Sequence, residues 1–375
     1  MTPRQENSLD TAPQTRKEWA QALPKIDLHR HLEGSLRLAT LLEIAQEHGL
    51  DLPSHDMEGL RPYVQMTDGP HRLDTFLQKF QILRRFYTSK EAVKRIAQEA
   101  VLDAAADNIR YLELRFNPVA LSRVHHFRLH DVVDWVIEAV TQAQETSNTR
   151  TCLIFQIGRN EQLRTAEEIT DLALAHLGLL VRGIDLAGDE AMHPAGRFEP
   201  IFRRAKQAGL NITVHAGEAI NADSDNSIRT AVLNLGAQRI GHGVRAIENS
   251  DTIQMLRERH ITLEVCPTSN LHTGIVRGLS QHPLYDLFKL GMYVTLNTDD
   301  PSISATTLSQ EYVVATDEIG LAPHFIYRML RHSVEAAFIP EAERDTLRHA
   351  FREWLAAFEG AIATFDAAYL PPPIP

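Results

Sequence analysis

Apolar and polar positions alternate through Ile26-Asp27-Leu28-His29-Arg30-His31, the pattern of a β-strand, in which successive side chains point to opposite faces. A helix follows from about Leu36 to His48, and then Gly49 to Arg72, with three prolines and three glycines, reads as a loop or excursion. Over Leu73 to Tyr87 the residues Leu73, Phe76, Leu77, Phe80 and Leu83 recur at helical spacing. That stripe fits ordinary core packing, and it also fits a lid helix that carries Phe76 and Phe80 over an apolar pocket. Beyond it the chain alternates. Helix Lys90 to Asp107 leads to strand Ile109 to Phe116, helix Leu129 to Glu145 to strand Cys152 to Ile157, and helix Ala166 to Leu177 to strand Val181 to Leu186. Helix Phe198 to Ala208 precedes strand Asn211 to His215, and helix Ser227 to Leu235 precedes strand Arg239 to His242. Helix Thr252 to Arg259 precedes strand Ile261 to Cys266, and a short helix Leu284 to Lys289 precedes strand Met292 to Asn297.

Strands alternating with helices of this length imply βαβ units and a parallel sheet. Eight such units predict an α/β chain folded as a (β/α)₈ TIM barrel, with a helical lid insertion after strand 1 and additional helices over Leu308 to Tyr369. An open doubly wound sheet is the alternative, but it has no need of an eighth strand. Residues 1–19 read as a flexible polar arm, 20–369 as one continuous domain, and 370–375 as a proline-rich tail.

Composition narrows the class. Hydrophobic residues at 43% and charged residues at 23% describe a globular protein with material for a large core. The net charge of −11 argues against a nucleic-acid partner, which would require a basic surface. The two cysteines, Cys152 and Cys266, are too few for a disulfide framework or a thiolate metal site. Met1 to Glu18 has no apolar core and so reads as no secretory signal, and no apolar run is long enough to span a bilayer. The expected setting is the cytoplasm, without membrane partners.

Candidate chemistry collects where a barrel places it, at the carboxyl ends of the strands. His29 and His31 lie two apart on strand 1 and face the same way. With 18 histidines in 375 residues, however, one such pair arises by chance, so it needs partners. Strand 4 runs into Gly188-Asp189-Glu190, strand 5 into His215-Ala216-Gly217-Glu218, strand 6 into His242, and strand 8 into Asp299-Asp300-Pro301. Taken alone, Glu218 reads as an acid near a helix N-terminus and His242 as a structural histidine. Position at one shared rim is what singles them out.

Five ordered blocks carry a resemblance. They are Asp27-Leu28-His29-Arg30-His31-Leu32-Glu33-Gly34-Ser35, Asp185 to Glu190, His215-Ala216-Gly217-Glu218, Gly241-His242-Gly243 and Leu296-Asn297-Thr298-Asp299-Asp300-Pro301. Together they resemble the adenosine deaminases of the amidohydrolase superfamily, over about Leu23 to Phe365. The resemblance implies one Zn²⁺ held by His29, His31, His215 and Asp299, with an open position for a water whose pKa the metal lowers toward about 7. No lysine stands at the end of strand 4, which fits one metal rather than two. It implies further that Glu218 protonates purine N1, His242 orients and polarises the nucleophilic water, Asp300 shares a hydrogen bond at N7, and the Gly188 N–H meets N3.

By the same resemblance, His31, Glu33, Phe76, Phe80 and Ser269, the last in Cys266-Pro267-Thr268-Ser269-Asn270, line the substrate pocket. The implied reaction is hydrolytic deamination of adenosine and 2′-deoxyadenosine to inosine or 2′-deoxyinosine plus ammonia. Glu33 departs from the family's usual Asp and leaves adenine or a 5′-modified adenosine such as aminodeoxyfutalosine as alternatives. The expected partner is a small purine nucleoside, and the oligomeric state is left open.

Overall fold

In a computed structural model, described over residues 15–356 and 358 except 68, 179 and 221, eight parallel strands follow one another in chain order. They are β1 (Lys25–His31), β2 (Ile109–Phe116), β3 (Arg150–Gly158), β4 (Val181–Ala187), β5 (Asn211–Ala216), β6 (Arg239–His242), β7 (Thr262–Val265) and β8 (Tyr293–Leu296). The strands are buried along nearly their whole length on both faces, as a parallel sheet wrapped in helices requires. Closure between β8 and β1 comes just past the end of β8. The His31 N–H donates to the Asp299 carbonyl and the Asp299 N–H to the His29 carbonyl, both at 2.8 Å, while Asn297 Oδ1 accepts the Leu28 N–H at 3.0 Å. The barrel is therefore sealed at the point where the first and last candidate ligands meet.

Helices Lys90–Ala106, Leu129–Thr146, Leu163–Ala175, Glu199–Gln207, Ser224–Leu233, Ser250–Glu258 and Leu284–Lys289 form the outer ring, joined by Pro323–Ala336 and Glu341–Ala356. Their apolar stripes supply the layer between ring and sheet, with Val93, Ile96 and Ala100 or Val132, Val136 and Val140 fully buried at helical spacing.

Two expectations need correction. The N-terminal arm ends earlier than residue 19, because a helix spans Arg16–Ala22. Thr15 and Glu18 form a reciprocal capping box at its start, Trp19 is fully buried, and Lys25 Nζ donates to the carbonyls of Ala20, Gln21 and Leu23 at its end. The excursion over 49–72 contains a helix, Met57–Val64, capped by Asp56 and tolerating Pro62 near its C-terminus. The lid stripe is helical over Leu73–Leu83 and tightens to a 3₁₀ turn at Arg84–Phe86. The proline-rich tail at 370–375 lies outside the described residues.

Candidate metal and active site

Three histidines meet Asp299 at the carboxyl rim of the barrel. His29 and His31 come from β1, His215 from β5, and Asp299 from the segment after β8. His31 Nε2 lies 3.3 Å from both His29 Nε2 and His215 Nε2, and Asp299 Oδ1 lies 3.1 Å from His29 Nε2 and 3.2 Å from His31 Nε2. Donor atoms held about 2.0 Å from one ion in tetrahedral array stand about 3.3 Å apart, so the spacing is that of a coordination shell.

Proton bookkeeping makes the same point. Each histidine gives its Nδ1 proton to a side-chain oxygen: His29 to Glu264 at 2.7 Å, His31 to Gln156 Oε1 at 2.8 Å and His215 to Asp185 at 3.1 Å. Each Nε2 therefore turns a lone pair inward, toward an Asp299 Oδ1 that is buried and has no hydrogen-bond partner. Four lone pairs pressed together in a buried site call for a cation. Charge in the barrel core agrees: Glu113, Asp185 and Glu264 pair with the guanidiniums of Arg115 and Arg239, whereas the partners of Asp299 are the imidazoles of His29, His31 and His242. Neutral imidazoles leave the Asp299 charge unmatched, which a bound cation balances. These four residues could hold one metal ion.

Sequence and local geometry explain how they fit. A Cβ on Gly241 would stand 3.0 Å from His29 Cε1 and 3.1 Å from the His215 ring, and one on Gly34 would collide with the Asp300 side chain. His242 and Asp299 adopt left-handed backbone, at φ of 59° and 62°, which turns each side chain in toward the rim at a cost in strain.

Around the cluster lies a cavity of about 170 Å³ lined by His31, Glu33, Phe76, Phe80, Gly188, Glu218, His242 and Asp300, among others. A larger open groove of about 970 Å³, between the helix Arg16–Ala22 and residues 301–310, holds no comparable set of ligands among the described residues, so chemistry rather than volume locates the site. Within the cavity, burial together with Asp299 and Glu190 raises the Glu218 carboxyl to about 8. Burial and the adjacent Asp299 hold Asp300 well above the usual carboxylate range. Both acids are thereby biased toward the protonated form, while Asp299, although burial pushes the other way, is held well below that range by His242, His29 and His31.

Comparison with known proteins matches this arrangement. The sequence model of the family described as "Adenosine deaminase" matches residues 24–354. Adenosine deaminases from Yersinia pseudotuberculosis and Shewanella loihica are 39% and 38% identical over 326 residues, covering 87% of this chain and 96% and 97% of theirs. The chain belongs to the adenosine deaminase family. Among solved structures, the adenine deaminase from Arthrobacter aurescens superposes with a TM-score of 0.81 at 27% identity, covering 89% of this chain and 99% of that one. The N6-mAMP deaminase of Arabidopsis gives 0.79 at 31% identity, covering 90% and 99%.

Within the family frame, most of the residues singled out by sequence meet at one place, and one does not. Ser269 was expected on the pocket wall. It sits instead behind Asp299, donating its hydroxyl to Oδ2 at 2.6 Å, because the short helix Pro267–His272 turns it toward the ligand and away from the cavity. Phe76 and Phe80 pack edge to face at 6.2 Å over the cavity, and Phe76 is buried, so the helix acts as core and cover together.

Several roles escaped the sequence reading, in which Glu190 and Asp185 stood at the strand 4 rim without one. Glu190 accepts the N–H groups of Gly217, Glu218 and Ala219 at 2.8, 3.0 and 3.3 Å and so fixes the turn that presents Glu218. Arg115 bridges Asp185 at 3.1 Å and Glu264 at 2.9 Å, joining the partners of two ligand histidines. The available signal was charge inside apolar strands, since Glu113, Arg115, Asp185, Arg239 and Glu264 all occupy strand interiors where an unpaired charge is costly. Among the described residues, no helix is long and apolar enough to cross a membrane.

Proposed function

We propose that the chain is a zinc-dependent hydrolase that converts adenosine, and 2′-deoxyadenosine, to the inosine product and ammonia. The observation that carries this reading is a buried carboxyl, Glu218, lining a cavity beside four converging metal-ligand atoms, its pKa raised by burial. Three imidazoles and one carboxylate suit Zn²⁺, which when bound supplies a Lewis acid that makes water nucleophilic at neutral pH.

The chain's own groups do the rest. Glu218 holds a proton in reach of the purine ring and delivers it to N1, so that charge arriving with the oxygen at C6 has a place to go. His242 Nε2, 3.5 Å from Glu218 Oε1 and 3.8 Å from Asp299 Oδ2, stands on the side from which that oxygen approaches and holds it in line. Protonated Asp300, whose Oδ1 is buried without a partner, donates to N7. Gly188, at φ 113°, turns its backbone toward N3 at a wall where a side chain would be strained. Phe76 and Phe80 cover the base and keep water out. The reaction fits a cytoplasmic role in purine salvage.

Glu33 supports a nucleoside as substrate. Its Oε1 accepts the Asn117 N–H at 2.8 Å, and its Oε2, on the cavity wall, is buried with no partner. A sugar hydroxyl satisfies that oxygen. Free adenine leaves it bare. The test is a panel of adenosine, 2′-deoxyadenosine, adenine, AMP and 5′-extended adenosines with metal-loaded protein, following loss of 6-amino absorbance. Adenosine should have the highest kcat/KM; preferred turnover of adenine or of a 5′-extended nucleoside overturns the substrate assignment and leaves the chemistry standing.

A further inference from the structure

A chain of three hydrogen bonds runs from the outer edge of the site to His242, and its polarity is fixed at the far end. The Leu284 backbone N–H, which can only donate, points at His282 Nδ1 from 3.1 Å. His282 is therefore the tautomer with its proton on Nε2, and it gives that proton to Asn270 Oδ1 at 3.1 Å. With its oxygen so occupied, Asn270 turns Nδ2 toward His242 Nδ1, also at 3.1 Å, and donates to it. His282, Asn270 and His242 are 5%, 0% and 1% exposed, so water does not compete for these bonds. Burial also keeps His282 neutral, lowering its pKa to about 3.

We propose that Asn270 and His282 are positioning residues that fix His242 as the neutral tautomer protonated on Nε2. The consequence reaches the chemistry: a His242 held this way offers a hydrogen-bond donor to the reacting oxygen and has no lone pair there to act as a base. That nitrogen faces Glu218 Oε1 at 3.5 Å and Oδ2 of the ionised Asp299 at 3.8 Å, and the latter can only accept, as suits an N–H. The helix turn Pro267–His272 thus serves two groups at once, since Ser269 holds Asp299 and its neighbour Asn270 holds His242. Backbone bonds from the Asn270 N–H to the Cys266 carbonyl at 2.9 Å and from the Val276 N–H to the Asn270 carbonyl at 3.3 Å keep the amide from rotating away with its loop.

The tautomer is read by long-range ¹H–¹⁵N correlation on zinc-loaded protein labelled in its histidine rings, with His242 assigned by its loss in His242→Phe. The expected spectrum shows His242 protonated on Nε2 and bare on Nδ1, and His282 likewise; protonation of His242 on Nδ1 in the parent protein overturns the proposal outright. Asn270→Asp replaces the donor facing His242 with an acceptor and should reverse its tautomer. Metal content and the KM for adenosine should stay within about threefold, while kcat falls at least about 10²-fold; a wrong tautomer costs as much as about 10⁴-fold in Ser-His-Asp hydrolases. His282→Phe, which removes only the remote donor, should give a mixture of His242 tautomers and a smaller loss of kcat. An unchanged His242 tautomer, or a kcat within twofold of the parent, in either folded variant contradicts the proposal. The kinetic arm rests on the deaminase reading, whereas the spectrum is independent of it and separates the two failures.

Discussion

His29 donates its Nδ1 proton to Glu264 across 2.7 Å, with both side chains wholly inside the barrel. Glu264 is in turn held by Arg115 at 2.9 Å, Arg239 at 2.6 Å and Thr213 at 3.2 Å, and the two arginines outweigh burial to keep it ionised. Orientation and basicity of a metal-bound imidazole depend on such a partner. Glu264→Gln removes the charge while keeping the shape and should weaken metal affinity about 10- to 100-fold, measured by competition with a chelator. Unchanged affinity would detach Glu264 from the site.

Glu218→Gln should retain the metal and lose at least about 10²-fold in kcat, the scale of general acid–base assistance. In the parent protein the active form carries the proton, so kcat/KM falls as pH rises through the Glu218 pKa. That pKa is raised to about 8 by burial, Asp299 and Glu190, and a bound cation draws it back down, so the alkaline limb should lie at or below pH 8. A pH–rate profile from 5 to 10 checks this, and the residual rate of Glu218→Gln should be flat across the same limb.

Ser269→Ala should act on the metal and leave substrate binding alone. Asp299 Oδ2 loses a 2.6 Å donor, so metal affinity drops, about 10-fold by the measure of outer partners. At saturating metal the KM for adenosine should not change. A raised KM with intact metal binding would return Ser269 to the pocket wall.

The architecture was legible because strands such as Cys152 to Ile157 are largely apolar and the helices between strands keep apolar stripes. Strands such as Ile109–Phe116 and Arg239–His242 coincide with the predicted bounds. The ligands were legible for a related reason: a barrel lists its site in chain order at its strand ends, so His29, His31, His215 and Asp299 stand out once the strands are placed. What stayed hidden depended on direction. Ser269 and Asn270 are adjacent on one turn, and only the rotation of Pro267–His272 decides that one meets Asp299 and the other His242. The helix Arg16–Ala22 was obscured by its polar composition, although Thr15 and Glu18 at capping-box spacing and the lone Trp19 marked it.

Phe76→Ala should raise the KM for adenosine, since Phe76 contributes to the cavity wall and supports Phe80 across 6.2 Å. Some stability is lost as well, because the side chain is buried. Steady-state kinetics beside a thermal melt separate the two effects. An unchanged KM with a lowered Tm would confine Phe76 to packing.

The most direct measurement is product analysis after incubating metal-loaded protein with adenosine in ¹⁸O-labelled water. Attack of water at C6 with loss of the exocyclic amine requires one equivalent of ammonia and inosine carrying one ¹⁸O at position 6 of the base. Adenosine recovered unchanged at full metal occupancy, or inosine without the label, would contradict the assignment of this rim to hydrolytic deamination.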